Sequence, residues 1–365
     1  ANAILINKVC DLFLRSSANL YYHNMYDRQA HNWELSVHIA QMSRYRLTAP
    51  KDESFWTDFG YCIGGPFIHS YLCKILSIVK SNNIDKIFFV ARDCYYLKMF
   101  FDTFYNVDNI ETEYVYLSRS VGLTSTLEYD NEPSYLEIIL KCASKDIPEI
   151  HVSSNYASNI ETFNTYLVKI RKWSANNKCN FSRYMHKCAG HSKRIAVVDL
   201  TTTKMSAYKY AKSELNDKVV LGIGSASFIH NTCKDYFYHL ERSLTSNEET
   251  IAMLSEEILA SPEPPILSID SDLKPVYGEI NINDGEIKRK IQCGMESYVK
   301  TQVAMWKDSC CLPMDNWISI VREYFVCSGP AVQLIFDKMI HSNNPDGVSD
   351  TTSVGELIRR YKNVV

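Results

Sequence analysis

A chain of 365 residues, 46% hydrophobic and 22% charged, has the make-up of a folded protein large enough for one big domain or two modest ones. Its formal net charge of −3 lacks the basic excess of a dedicated nucleic-acid binder, so no nucleic-acid partner is expected.

The opening run Ala1–Ile6 is too short for a signal peptide or a membrane span, and no later run of about 18 apolar residues is evident. The expectation is a soluble, cytoplasmic protein, with room for a peripheral position at a membrane. Residues 1–58, rich in Tyr, His, Asn and Arg, read as a helical or irregular lead-in. A turn at Gly64-Gly65-Pro66 is expected to open a helix whose apolar face carries Phe67, Ile68, Tyr71, Leu72, Ile75, Leu76 and Val79. Ser81-Asn82-Asn83 ends it. Ile87–Ala91 is a continuous apolar run of the kind found in strands buried on both faces. Arg92-Asp93 breaks that run before a helix from Tyr95 to Phe100, and a second strand, Tyr114–Leu117, ends in Ser118-Arg119-Ser120.

Residues 130–190 read as helices with polar connections. Two more apolar strands follow, Ile195–Val198 and Lys218–Ile223, separated by Asp199, three threonines and a helix from Met205 to Leu215. Helices alternating with apolar strands predict a parallel sheet covered on both faces. Glu248–Ala260 reads as a helix, and Ser261-Pro262-Glu263-Pro264-Pro265 as a rigid break. Helices over 284–308, 313–326 and 330–341 predict a C-terminal helical cap. The organisation is therefore a lead-in (1–58), an α/β domain (59–265) and a helical C-terminal region (266–365).

In open parallel sheets, ligands bind beyond the carboxyl ends of the strands, so polar residues that appear abruptly there are the candidates. Asp199, Thr201, Thr202, Thr203, Lys204 and Ser206 form a strand-to-helix connection with the look of an anion cradle. Hydroxyls and helix N–H groups would face an anion, and Asp199 would accept from sugar hydroxyls. The plainer alternative is an N-cap and a turn. Arg92 suits forked phosphate contacts and Asp93 suits Mg²⁺, against the alternative of an exposed ion pair at a helix start. Ser118 and Arg119 repeat the theme, or mark a surface turn.

Other chemistries lack their motifs. The chain has no HExxH, GxSxG or GxGxxG, and the one Asp-x-Asp, Asp270-Ser271-Asp272, follows a proline break instead of a strand. The twelve cysteines include no Cys-x-x-Cys pair, and Cys62, Cys73, Cys94, Cys142 and Cys327 lie in apolar stretches. Free thiols in a reducing compartment are expected, with neither disulfides nor zinc.

Four features in order resemble a module of bacterial capsule and O-antigen biosynthesis proteins. They are Ile87–Lys98 with its Ala91-Arg92-Asp93, the strand ending in Leu117-Ser118-Arg119-Ser120, Val197-Val198-Asp199, and Glu256–Pro262 with its acidic helix and Ser-Pro break. Together they span roughly residues 58 to 265. That module resembles the type I phosphoribosyltransferase fold, a Rossmann-like parallel sheet, and is often fused to or paired with haloacid dehalogenase-type phosphatases. The resemblance implies a Mg²⁺-dependent glycosyltransferase moving a pentose 5-phosphate from phosphoribosyl pyrophosphate to a glycan or lipid-linked oligosaccharide acceptor, peripheral to the inner membrane, with a phosphatase as partner. Asp199, Arg92 and Asp93 would be catalytic, with Asp93 on the metal. Thr201–Thr203, Lys204, Ser206, Ser118 and Arg119 would hold the donor. The sequence departs from the pattern at Leu200, where a second acid is usual, at Lys204-Met205, where Thr-Gly is usual, and at Cys94, where glycine is usual. The alternatives are a phosphohydrolase of haloacid dehalogenase type and a non-catalytic partner of a glycan-assembly enzyme.

Overall fold

A computed structural model describes His38 and residues 54–106, 108–129, 132–202, 205–228, 234–278, 285–305, 311–327, 330–342 and 351–364. Its first seven strands are β1 (Lys86–Val90), β2 (Glu111–Val115), β3 (Arg194–Val198), β4 (Thr201–Thr202), β5 (Val219–Gly224), β6 (Ala226–Ser227) and β7 (Tyr236–Tyr238). Five of them make one parallel sheet in the order β2-β1-β3-β5-β7. The fold is thus α/β with a Rossmann-like parallel sheet.

The apolar runs form the centre of this sheet because they are buried on both faces. Phe89, Val198 and Ile223 point into one hydrophobic cluster, whereas Phe88, Val197 and Val220 point into another. The first cluster is filled by α1 (Phe55–Ser81), α2 (Tyr95–Phe100) and the C-terminal helices α8 (Glu249–Leu259), α9 (Gly285–Met305), α10 (Met314–Cys327) and α12 (Val354–Val364). On the opposite face lie α3 (Arg119–Thr126), α6 (Leu167–Ala189) and α7 (Ser206–Glu214). Helices α4 (Pro133–Ser144) and α5 (Tyr156–Thr165) build a satellite cluster outside them. Val90, Val197 and their neighbours alternate between faces because successive strand side chains point oppositely.

Several expectations need correction. The second strand lies at Glu111–Val115, earlier than expected, because it is an edge strand whose Glu111 is exposed and whose next three residues are only half-buried. Gly64-Gly65-Pro66 is no turn: α1 runs through it as a π turn, Gly60–Gly64, with the Gly65 N–H donating to the Gly60 carbonyl. Pro66 has no N–H to give the preceding turn, and the wider π turn accommodates that loss. Trp317 Nε1 donates to the Ile63 carbonyl at 2.8 Å in the same place. Helix α1 is also long and apolar enough to cross a membrane by length and composition, contrary to the reading of the bare sequence. Of its most apolar window, with mean hydropathy 1.4, 83% is buried inside the protein. The expected helix 330–341 stops at Phe336 as α11 (Pro330–Phe336), and Ile340–Ser342 pairs antiparallel with Thr351–Ser353 as strands β10 and β11. These follow β8 (Ile266–Ile269) and β9 (Pro275–Tyr277), an antiparallel hairpin. Among the described residues the C-terminal region is therefore helical, with two small antiparallel strand pairs.

Candidate functional site

Strands β1 and β3 are neighbours, but the chain leaves β1 toward β2 on one side before returning to β3 on the other. That reversal is a topological switch point, the place where open α/β sheets usually bind their ligands, beyond the carboxyl ends of the strands. In register, Phe89 pairs with Val198, so Val90 and Asp199 are the next residues on the two strands. The connections Ala91–Cys94 and Asp199–Met205 consequently start side by side. The Ala91–Arg92 peptide is cis. Cys94 Sγ ties the first connection to the end of β3 by donating to the Val198 carbonyl at 3.3 Å.

Asp199 is held by three backbone contacts. Its N–H donates to the Ile223 carbonyl at 2.9 Å, its Oδ1 accepts from the Leu200 N–H at 2.9 Å, and its carbonyl accepts from the Tyr71 hydroxyl. As a whole residue Asp199 is half-buried. Burial, then the nearby Asp93 carboxylate, raise its pKa to about 7, while the Leu200 N–H and the Arg119 guanidinium pull it down. The same two carboxylates, after burial, push the Cys94 thiol up, so Cys94 is a neutral donor. Tyr71 and Tyr236 also face this charge; burial chiefly keeps both as phenols. Asp93 and Arg119 therefore both act on Asp199, and the three come from three different strand ends.

Arg92 is half-buried, and its Nε has no hydrogen-bond partner among the described residues. The backbone carbonyl of Arg92 accepts from the Ser261 N–H at 3.0 Å, which docks the Ser261-Pro262 break onto the site. Beside it, Tyr114 donates to Glu263 Oε2 at 3.1 Å, and Tyr116 packs edge-on against Tyr277. Ser118 is committed to structure: its hydroxyl donates to the Ile266 carbonyl at 3.0 Å and accepts from the Val121 N–H at 3.3 Å as the N-cap of α3. Ser118→Ala should accordingly cost about 1 kcal/mol of stability, read as a lowered Tm. Arg119, exposed, reaches over the Tyr135 ring at 5.7 Å.

Thr201 and Thr202 form β4 and pair with Ala226 and Ser227 of β6, extending the β3–β5 neighbourhood beyond the sheet. Thr203 and Lys204 lie outside the described residues. Ser206 is the first residue of α7, entered from Met205 in the left-handed conformation (φ 54°). The Asp-x-Asp at 270–272 is a hairpin turn whose Asp270 Oδ1 accepts from the Asp272 and Lys274 N–H groups, both at 2.9 Å.

Sequence reasoning noted Cys94 only as a thiol in place of a usual glycine, and missed Tyr71, Tyr236 and the Ser225 hydroxyl, the last two buried with no hydrogen-bond partner for their oxygens among the described residues. Tyr71 looked like one more apolar helix position, and only the fold turns its hydroxyl toward Asp199. No protein-family model and no curated protein matches the chain.

Proposed function

We propose that this chain is a glycosyltransferase that moves a pentose 5-phosphate, ribofuranose 5-phosphate from phosphoribosyl pyrophosphate, onto a glycan acceptor in capsule or O-antigen assembly. The observation that supports it most is the set of opposed charges at the switch point, with Asp93 and Arg119 acting on Asp199, and Arg92 on the same connection as Asp93. A doubly phosphorylated sugar carries anionic groups and neutral hydroxyls, and needs both kinds of partner. Arg92 and Arg119 would take phosphate oxygens, and Asp199 the ribose hydroxyls.

Two carboxylates close enough for one to raise the other fit a divalent cation, which would relieve the repulsion. Asp93, with Asp199 behind it, would hold Mg²⁺, and the ion would supply charge neutralisation for departing pyrophosphate. The residues would act by position and charge. Asp199 would stabilise positive charge growing at the anomeric carbon while the acceptor hydroxyl approaches. The tyrosines near Arg92 and Ser261 offer flat faces on the side where an acceptor sugar, lipid-linked or free, would lie. Such a role fits a cytoplasmic protein at the inner membrane, with a phosphatase partner removing the 5-phosphate from the product.

The donor reading is tested by thermal shift. Phosphoribosyl pyrophosphate with Mg²⁺ should stabilise the protein by about 2.7 kcal/mol at a hundredfold excess over Kd. Arg92→Ala should remove most of that stabilisation while leaving the ligand-free Tm near wild type. An unchanged Tm for wild type at saturating donor would count against the proposal.

A further inference from the structure

Helix α1 also meets the segment before α10, at a cluster of three potential metal ligands: His69, Cys73 and Cys311. His69 and Cys73 are four residues apart on α1, so one helical turn stacks them on one face. Their ligand atoms and the Cys311 thiol all lie within 4.8 Å of one another, and His69 Nε2 is 3.9 Å from each sulfur. A tetrahedral zinc ion with bonds of about 2.0 Å to nitrogen and about 2.3 Å to sulfur sets its ligands about 3.5 Å apart. Small rotations of the two thiols close that difference.

The surroundings orient the ligands as a metal site requires. His69 Nδ1 is hydrogen-bonded to the Tyr105 hydroxyl. With the proton on Nδ1, the Nε2 lone pair faces the sulfurs, the arrangement a metal-bound imidazole adopts when its second nitrogen is engaged. Cys311 is fixed through its neighbour: the Ser70 hydroxyl lies against the Leu312 carbonyl and 2.9 Å from His239 Nε2. His69 is fully buried, whereas Cys73 and Cys311 keep partial exposure, which leaves an entry path.

We infer that His69, Cys73 and Cys311 form a zinc site that clamps α1 to the chain entering α10. Charge selects a divalent ion. Two thiolates and a neutral imidazole around Zn²⁺ sum to zero, so the assembled site can stay buried, and both thiol protons leave to solvent as the ion binds. Thiolate and imidazole ligands suit zinc rather than Mg²⁺, so this site is chemically distinct from the Asp93–Asp199 pair. It stands independently of the transferase proposal. One tetrahedral position is left for water or a further side chain.

The test uses the full chain, stripped of metal under reducing conditions and titrated with Zn²⁺ or Co²⁺ alone. One equivalent of metal should bind, and Co²⁺ should show the thiolate charge-transfer band of a tetrahedral site. Cys73→Ser and Cys311→Ser should each lose that band, while Cys179→Ser, at an exposed cysteine, keeps it. A variant-free readout covers the case in which a substitution disturbs folding. Zn²⁺ should protect Cys73 and Cys311 in wild type from alkylation, mapped by peptide mass spectrometry. Failure to bind an equivalent of metal, or binding that protects neither thiol, overturns the inference. So does a Cys73–Cys311 disulfide whose reduction yields no zinc uptake.

Discussion

Asp199→Asn should abolish turnover and, above pH 7, make the protein more stable than wild type. Removing one preorganised electrostatic contact to a transition state costs about 10²–10³ in rate. The side-chain oxygen of the substituted amide can still accept from the Leu200 N–H, so the local backbone has no reason to change. The stability half follows from linkage. In the folded protein Asp199 titrates at about 7, because it is buried and faces Asp93, against about 3.9 in an unfolded chain. A raised carboxyl pKa means the folded state holds its proton more tightly. The neutral acid is fully favourable below about pH 4, and that stability is lost as pH rises through 7. Asparagine never ionises and never loses it. The gap between variant and wild type should therefore open between about pH 4 and pH 7 and then level off, at a size on the order of 2 kcal/mol once solvent access and relaxation are allowed for. Chemical denaturation at several pH values, beside turnover of the same preparations, checks both halves. A variant that is inactive but less stable at pH 8 would contradict the electrostatic account of this residue.

The second large effect is structural. Gly294→Val should collapse the stability of the whole chain, because α9 crosses α1 with backbone against backbone. A Cβ at Gly294 would sit 2.0 Å from the Thr57 carbonyl oxygen and 2.6 Å from the Tyr61 nitrogen. Gly60, on the other helix, has the Ile291 carbonyl oxygen 2.0 Å from where its Cβ would be. None of these neighbours is a flexible side-chain tip, so the helices must separate. Their separation would disturb a core that also holds Phe59, Tyr298 and Trp317. Overpacking costs about 1–3 kcal/mol where side chains can adjust, and here the loss should exceed about 3 kcal/mol. Gly285→Ala, where nothing among the described residues lies within 4 Å, supplies the control and should be close to neutral. Equal denaturation midpoints for Gly294→Val and wild type would show that the crossing is looser than described.

The central sheet was legible because Ile87–Val90, Ile195–Val198 and Val219–Ile223 leave no polar face, a pattern that few structures other than a doubly covered parallel strand permit. Their polar ends were legible for the same reason, as the place where the apolar run stops. Edge strands gave weaker signals: Glu111–Val115 is half solvated, and Tyr236–Tyr238 is too short to show a period. Gly64-Gly65-Pro66 misled because its residues usually break helices. Here the glycines serve close helix contact, Gly64 against Met295 and Gly65 against Tyr298. The His69–Cys73–Cys311 cluster was invisible to a search for paired cysteines. Its only local mark is one histidine and one cysteine a helical turn apart, and its third ligand arrives from the far end of the chain. That Asp93 and Asp199 share one site was legible, because each follows an apolar strand expected to run in the same parallel sheet; their direct coupling needs β1 and β3 to be immediate neighbours as well.

The most direct test of the transferase proposal mixes the protein, Mg²⁺ and phosphoribosyl pyrophosphate with a panel of oligosaccharide acceptors and weighs the acceptors by mass spectrometry. Wild type should yield an acceptor heavier by one pentose phosphate, and Asp199→Asn should yield none. Acceptors of unchanged mass across the panel, with inorganic phosphate released from a sugar phosphate in their absence, would contradict it and favour a phosphohydrolase.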